Sequence, residues 1–96
     1  MLFNNDRYLT RGVQTEIPIA LQLFMWSCID QLPEQRDYFQ LFVLEPLGDM
    51  QRIMHSSEQP EHKMEYLLAA VDKPITAKVY VIDSVDYSTM LLAEEY

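Results

Sequence analysis

The spacing of hydrophobic residues changes from a helical to an alternating pattern near residue 33. Apolar side chains between residues 18 and 32 recur every three or four positions, which predicts a helix over residues 18–32. Pro18 suits the first turn of this helix, and Pro33 ends it because proline lacks a backbone N–H group. Beyond Pro33, apolar and polar residues mostly alternate, which is typical of strands. The chain is therefore predicted to pack one helix against a sheet.

Turn residues divide the rest of the chain into strands. Strands are predicted at residues 7–11, 38–45, 50–56, 63–68 and 76–83. Polar turns, several containing proline or glycine, are predicted at residues 33–37, 46–49, 57–60, 71–74 and 84–86. The two strands that flank the turn at 57–60 are predicted to form a hairpin. The strand at 38–45 is apolar on both faces, which predicts a central strand covered on both sides.

The last ten residues fit two structures. Thr89 to Leu92 follow a short acidic loop and suit a strand that returns along its neighbour. Residues 90–95 also contain good helix formers, and Asp86 could cap a helix. We favour the strand. The predicted fold is α+β, with one N-terminal-half helix packed on a mostly antiparallel sheet of about five to six strands, in a single domain of residues 1–96.

The predicted helix is apolar on two sides. A broad stripe is assigned to the core and comprises Leu21, Phe24, Met25, Cys28, Ile29 and Leu32. Ile19, Leu23 and Trp26 form a second stripe on nearly the opposite side. A chain of 96 residues has little material to cover both stripes. The second stripe is therefore predicted to be a self-association interface; alternatively, the sheet or the C-terminal tail covers it within one molecule.

Charge and cysteine content restrict the classes of partner and compartment. The net charge of −8 is concentrated in residues 37–96, which carry −7, and such an acidic surface repels nucleic acid. It favours instead a basic protein partner, or simply keeps the protein soluble. Cys28 is the only cysteine, and no segment has the length of a signal peptide or a membrane span. We therefore expect a cytoplasmic protein that binds neither nucleic acid nor membrane.

Two groups of side chains are the first candidates for chemistry. Cys28 could be a nucleophile, but its place in the apolar stripe is more typical of an unreactive core cysteine. His55, Glu58, Glu61 and His62 could gather around a metal ion across the turn at 57–60. Their spacing matches no known zinc signature, however, and two surface histidines on a polar turn are a simpler interpretation.

Paired charges supply the other candidates. Two carboxylate pairs could act as acid and base, namely Asp83 with Asp86 and Glu94 with Glu95, but fifteen acids among 96 residues make such pairs common. Arg7 and Arg11 could bind an anion, although charges that protect an edge strand are a simpler interpretation. The two glycines, Gly12 and Gly48, form no phosphate-binding loop. We predict no catalytic, cofactor-binding or metal-binding residue.

Three stretches of the chain resemble a bacterial family. They are RYLTRGV at residues 7–13 with IP and LQLFMW at 17–26, HSSEQPE at 55–61, and VYVID at 79–83 with YSTMLL and EEY at 87–96. Together they resemble the domain-of-unknown-function family 960, small stand-alone proteins of low-GC Gram-positive bacteria such as staphylococci and streptococci. The resemblance covers nearly the whole chain. It implies a single-domain bacterial cytoplasmic protein, and it supplies no activity, substrate or cofactor.

The sequence is therefore interpreted as that of a small acidic interaction module without enzymatic activity. The module is predicted to be a homo-oligomer, most simply a homodimer, that associates through Ile19, Leu23 and Trp26. The alternative is a small enzyme or ligand-binding protein whose site forms only in the folded chain.

Overall fold

The computed structural model, which describes residues 2–69 and 72–96, packs two helices on one face of a six-stranded sheet. In chain order the elements are β1 (Asp6–Leu9), α1 (Arg11–Glu16), α2 (Ile19–Asp30), β2 (Phe39–Leu47), β3 (Met50–Glu58), β4 (Glu61–Ala69), β5 (Ala77–Asp83) and β6 (Tyr87–Leu92). A 3₁₀ turn, Ala93–Glu95, follows β6. The strand order is β1-β6-β5-β2-β3-β4, and every neighbouring pair is antiparallel except β1 with β6. The predicted α+β class is confirmed.

Helix α2 occupies most of the predicted helical segment. The guanidinium of Arg36 holds the C-terminal end of α2: it is 8% exposed and donates to the carbonyl oxygen of Ile29 in the last turn at 2.8 Å and to that of Leu32, just beyond the helix, at 2.9 Å. A cation at this end also opposes the negative end of the helix dipole. No helix among the described residues is both long and apolar enough to cross a membrane.

The short helix α1 was not predicted. The side chain of Thr10 caps it by accepting a hydrogen bond from the N–H group of Val13 at 3.3 Å. Gly12 lies inside α1. A Cβ atom at Gly12 would lie 2.7 Å from Oε2 of Glu95 and 2.8 Å from Cδ1 of Leu92, so glycine is needed here for the close approach of the C-terminal segment.

The core lies between α2 and the sheet. Alternate residues of the central strands point toward the helix, beginning with Phe42 and Leu44 of β2. The fully buried hydrophobic residues, all at 0% exposure, are Val13, Met25, Ile29, Phe42, Leu44, Ile53, Val79, Val81 and Met90. Burial of their side chains supplies the main free energy that holds α2 on the sheet.

The remaining boundaries follow from the sheet register. Residues 87–92 form β6, so the preferred strand interpretation of the tail is confirmed. The hairpin of β3 and β4 is also confirmed, with register pairs running from Met50–Ala69 to Glu58–Glu61. Strand β2 runs through Pro46, so the turn predicted at 46–49 is reduced to Gly48 and Asp49. The turn predicted at 71–74 begins at residue 71, which lies outside the described residues.

Candidate interaction surface

One face of the sheet points away from both helices, and we call it the open face. The register aligns its side chains in rows across the strands, such as Leu91, Tyr80, Leu41 and Ser56 of β6, β5, β2 and β3. These residues are half-buried by their neighbours in the sheet. No helix or strand of residues 2–69 and 72–96 packs as a second layer over them. Strand β2 is central, as predicted, but the described chain covers it on one side alone.

The open face is rich in aromatic side chains. The rings of Phe39, Tyr80 and Tyr96 form a cluster in which the centroids lie 4.8, 5.4 and 5.8 Å apart. Tyr8 and Tyr87 form a second pair at 5.8 Å, with their rings nearly perpendicular. The Phe39–Tyr80 contact is tilted and the other three contacts are edge-to-face, and such contacts favour fixed ring orientations. Four of the six tyrosines therefore present preoriented rings on one surface.

Aliphatic residues connect the aromatic groups into one patch. Val43 pairs with Met54 across β2 and β3, and Ile82 pairs with Thr89 across β5 and β6. All four are half-buried, as is Leu41 between them. An uncovered patch of this composition is characteristic of a surface that binds another protein.

A charged group borders the patch on the β3 side. Arg52 forms salt bridges with Glu45 of β2 and Glu65 of β4. The hydrogen bond to Glu65, together with the charges of both carboxylates, raises the pKa of Arg52 above its ordinary value. The single positive charge of Arg52 thus offsets one of the two carboxylate charges. Lys78 lies nearby, with its Nζ atom 5.8 Å from the centroid of the Tyr80 ring.

An open cleft of about 390 Å³ lies where β2 begins and β3 ends, beside the aromatic cluster. The Asp37 carboxylate at this cleft accepts hydrogen bonds from the N–H groups of Phe39 at 3.0 Å, Gln59 at 2.9 Å and Glu58 at 3.2 Å. Although desolvation raises the pKa of Asp37, these hydrogen bonds outweigh it and leave the pKa below its ordinary value. The carboxylate therefore fixes the β3–β4 turn and is poorly suited to act as a base.

The histidines of the candidate metal group are not both on the surface. His55 is fully buried and stacks on Phe42 with 4.3 Å between ring centroids, which contradicts the surface interpretation. The ring centroids of His62 and His55 lie 4.8 Å apart, and the His55 Nδ1 and His62 Nε2 atoms have no hydrogen-bond partner among residues 2–69 and 72–96. Glu58 and Glu61 are exposed. Over residues 2–69 and 72–96, no three His, Cys, Asp or Glu side chains gather in a group able to hold a metal ion.

Cys28 lies in the core, where the sequence placed it. Its side chain is buried at 5% exposure. Desolvation raises the pKa of the Cys28 thiol, although a hydrogen bond with Tyr66 partly opposes the change. A buried thiol with a raised pKa is a weak nucleophile.

Two of the candidate carboxylates, those of Asp83 and Glu95, accept hydrogen bonds that hold the N-terminal segment against the C-terminal segment. Asp83 accepts a hydrogen bond from the N–H group of Phe3 at 2.6 Å, and Glu95 accepts one from Oγ1 of Thr10 at 2.5 Å. Burial raises the pKa of Asp83 but its hydrogen bonds outweigh the effect, and the hydrogen bond from Thr10 lowers the pKa of Glu95. Both carboxylates tie one terminus of the chain to the other, while Asp86 and Glu94 are exposed.

The three residues of the predicted helix interface do not share one environment. Ile19 and Leu23 are 71% and 64% exposed, but Trp26 is 8% exposed. The Arg7 guanidinium covers the indole at 4.6 Å from the ring centroid and also pairs with Asp30. The Arg7 side chain therefore packs against Trp26 and pairs with Asp30 of α2, whereas Arg11 lies at the start of α1. The structure does not join the two arginines in an anion site.

Sequence reasoning missed the open face as a site. The alternation along β5 places Tyr80 and Ile82 on the side opposite buried Val79 and Val81. The alternation does not tell whether a second layer of the same chain covers that side. An apolar residue beneath such a layer and an apolar residue that contacts a partner give the same sequence pattern. The large share of tyrosine on that side was the available signal.

Comparison with known proteins identifies relatives of this fold. A family model described as a staphylococcal protein of unknown function (DUF960) matches residues 6–95. The crystal structure of the protein of unknown function from Enterococcus faecalis is similar, with a TM-score of 0.80, 21% sequence identity, and coverage of 97% of this chain and 92% of that chain. At that identity the likeness concerns the fold alone. No curated protein matches the chain.

Proposed function

Since the chain belongs to the staphylococcal family of unknown function DUF960, and that family assigns no activity, we propose a function from the geometry. The protein is a non-enzymatic interaction module that binds another protein on its open face. The observation that carries this proposal is the uncovered sheet face with its preoriented tyrosines. Tyrosine is enriched at protein interfaces because it offers a large contact area and one hydrogen-bonding group for little loss of side-chain entropy.

The charge around the aromatic groups favours a partner with a basic rim. Asp37 and Glu58 lie beside Phe39, Asp6 pairs with Tyr87 across β1 and β6, and Glu95 precedes Tyr96. Arg52 offsets one of the two carboxylate charges at the β3 side, and Lys78 is a cation near Tyr80, so negative charge still exceeds positive charge around the aromatic residues. A protein surface with apolar residues at its centre and Lys or Arg at its edge would complement this arrangement.

The groove between α2 and β4 supports a small-ligand function less well. It has a volume of about 310 Å³, and its lining includes Leu21, Phe24 and Leu68. Gln51 also lines it, but the Gln51 amide donates to the carbonyl of Ile75 at 3.1 Å and accepts from the N–H group of Ile75 at 2.8 Å. The Gln51 amide is thus used within the fold, and the charged lining residues Asp72 and Lys73 are exposed, whereas a ligand site needs polar groups directed at the ligand.

Site-specific photo-crosslinking in the source cells tests the proposal. A photoreactive amino acid replaces Leu41 or Leu91 on the open face, and a third variant carries it at exposed Glu16 of α1 as the matched control. We expect both open-face positions to crosslink the same protein and the Glu16 position not to do so. The purified partner should then bind the protein at least about tenfold more weakly after Leu41→Glu, because a charge is buried at the contact. Equal crosslinking from all three positions would contradict the proposal.

A further inference from the structure

The two edges of the sheet differ in length and protection. β1 has four residues, whereas β4, at the other edge, has nine. β4 pairs with β3 alone among the described strands, in a register that is continuous from Glu58–Glu61 to Met50–Ala69. It contains neither a proline nor a bulge. Half of its backbone N–H and C=O groups therefore face outward along an uninterrupted edge that can pair with another strand.

Apolar side chains are exposed on both sides of this edge. Met64 is 47% exposed and pairs with His55, which places it on the helix side of the sheet. Leu67 is 46% exposed and pairs with Arg52, which places it on the open face. An added strand would cover both side chains.

The sequence of β4 is complementary to itself in the antiparallel register centred on Met64. When Met64 lies opposite Met64 of a second copy, Lys63 lies opposite Glu65 of that copy and Glu65 lies opposite its Lys63. A two-fold axis perpendicular to the sheet generates this register and keeps the helices of both copies on one side. Two cross-strand pairs of opposite charge then form on the open face.

Neighbouring registers are less favourable. An axis at Lys63 places Lys63 opposite itself and Glu61 opposite Glu65. An axis at Glu65 places that carboxylate opposite its own copy. Like charges directly opposite each other destabilise a strand pair. An axis at His62 also pairs Glu61 with Lys63, but it overlaps only residues 61–63 of β4, whereas the axis at Met64 overlaps residues 61–67. Charge and length of overlap together select the register centred on Met64.

We propose that two copies of this chain pair through β4 in the Met64-centred antiparallel register. The dimer has one continuous sheet of twelve strands, since each copy contributes six. It joins the two open faces into a single surface, and it leaves Ile19 and Leu23 of α2 outside the contact. This inference is independent of the proposed partner on the open face.

A charge exchange tests the register in solution. Lys63→Glu and Glu65→Lys each place two like-charged pairs across the interface, and we expect each variant alone to dissociate at a protein concentration about tenfold higher than the wild type or more. A mixture of the two variants restores opposite charges at both pairs and should regain the wild-type dimer. Lys73→Glu, an exposed site outside β4, is the control for net charge.

Analytical ultracentrifugation over a dilution series measures the mass of each variant in solution. The proposal predicts a wild-type mass near twice the 11.3 kDa of the chain, loss of the dimer in each single variant, and recovery in the mixture. A monomer at every concentration would overturn it. So would a dimer that both charge reversals leave intact but Leu23→Glu dissociates, because that result would assign the contact to α2.

Discussion

The Nε2 atom of His55 lies 2.6 Å from the Oε1 atom of Gln40, in the core between α2 and the sheet. The amide nitrogen of Gln40 donates to the carbonyl oxygen of Asp37 at 2.8 Å, which assigns its Oε1 atom as an acceptor. His55 must therefore donate from Nε2, and its Nδ1 atom carries the lone pair of a neutral imidazole. A histidine that the sequence suggested as a metal ligand is thus held as a neutral core residue.

The buried imidazole predicts a loss of stability in mild acid. Burial, assisted by the charge of His62, lowers the pKa of His55 from 6.5 to about 4. The unfolded chain therefore binds a proton below pH 6.5 that the folded chain takes up only near pH 4. We expect the free energy of unfolding to fall by about 2 kcal/mol between pH 7 and pH 5, as measured by urea denaturation.

Two variants separate this effect from other titrations. His55→Gln preserves a donor for Gln40 but does not titrate, so its unfolding free energy should be nearly constant between pH 7 and pH 5. His62→Gln should retain most of the dependence, since burial of His55 is the larger cause of its shifted pKa. If His55→Gln keeps the full wild-type slope, His55 is not the group responsible.

Truncation of Trp26 should lower the stability of the fold much more than truncation of Leu23. Trp26→Ala removes a buried indole together with its contact to Arg7, and we expect a loss of about 3–5 kcal/mol in thermal or chemical unfolding. Leu23→Ala removes an exposed side chain and should change stability by less than about 0.5 kcal/mol. Comparable losses in the two variants would show that Leu23 is covered in solution.

The cap of α2 by Arg36 should contribute measurably to stability. Arg36→Met keeps most of the side-chain volume but leaves the carbonyl oxygens of Ile29 and Leu32 without their buried donor. We expect a loss of about 2 kcal/mol in the free energy of unfolding. Arg11→Met, at an exposed position, is the matched control and should be nearly neutral. An equal effect at both positions would mean that charge, rather than the cap, is responsible.

Gly12 should resist substitution because of the C-terminal clamp. In Gly12→Ala the new methyl group meets the Glu95 carboxylate, and we expect a net loss of about 1 kcal/mol despite the better helix propensity of alanine. The loss should be smaller in a Glu95→Ala background, where one of the two close contacts is gone. A double-mutant cycle with no coupling between the two positions would argue against the contact.

Local patterns predicted the elements whose signals are local. The 3.6-residue spacing between two prolines predicted α2, and the alternation at residues 76–83 predicted β5 as a strand. The burial of His55 could also be predicted, because His55 lies two residues from Ile53 and therefore on the same face of β3. Its position next to the predicted turn favoured a surface histidine instead. Predicted strand boundaries that stopped two residues early made the same turn look longer than it is.

Features that depend on contacts between distant parts of the chain could not be predicted from local sequence patterns. The six residues of α1 depend on a cap and on a contact with the C-terminus, neither of which has a periodic signal. The parallel pairing of β1 with β6 joins the two ends of the chain. The two apolar faces of β2 suggested a covered strand, and its alternation contains no information on whether the second layer belongs to the same molecule.

The central claim, that the open face binds a protein, is tested most directly by radical footprinting of the protein in its cells and after purification. We expect Tyr8, Tyr87 and Tyr96, which are exposed in the folded chain, to be modified in the purified protein and protected in the cell. Exposed Ile19 on α2 serves as the internal reference and should be modified equally in both. Equal modification of the three tyrosines in the cell and after purification would contradict the account.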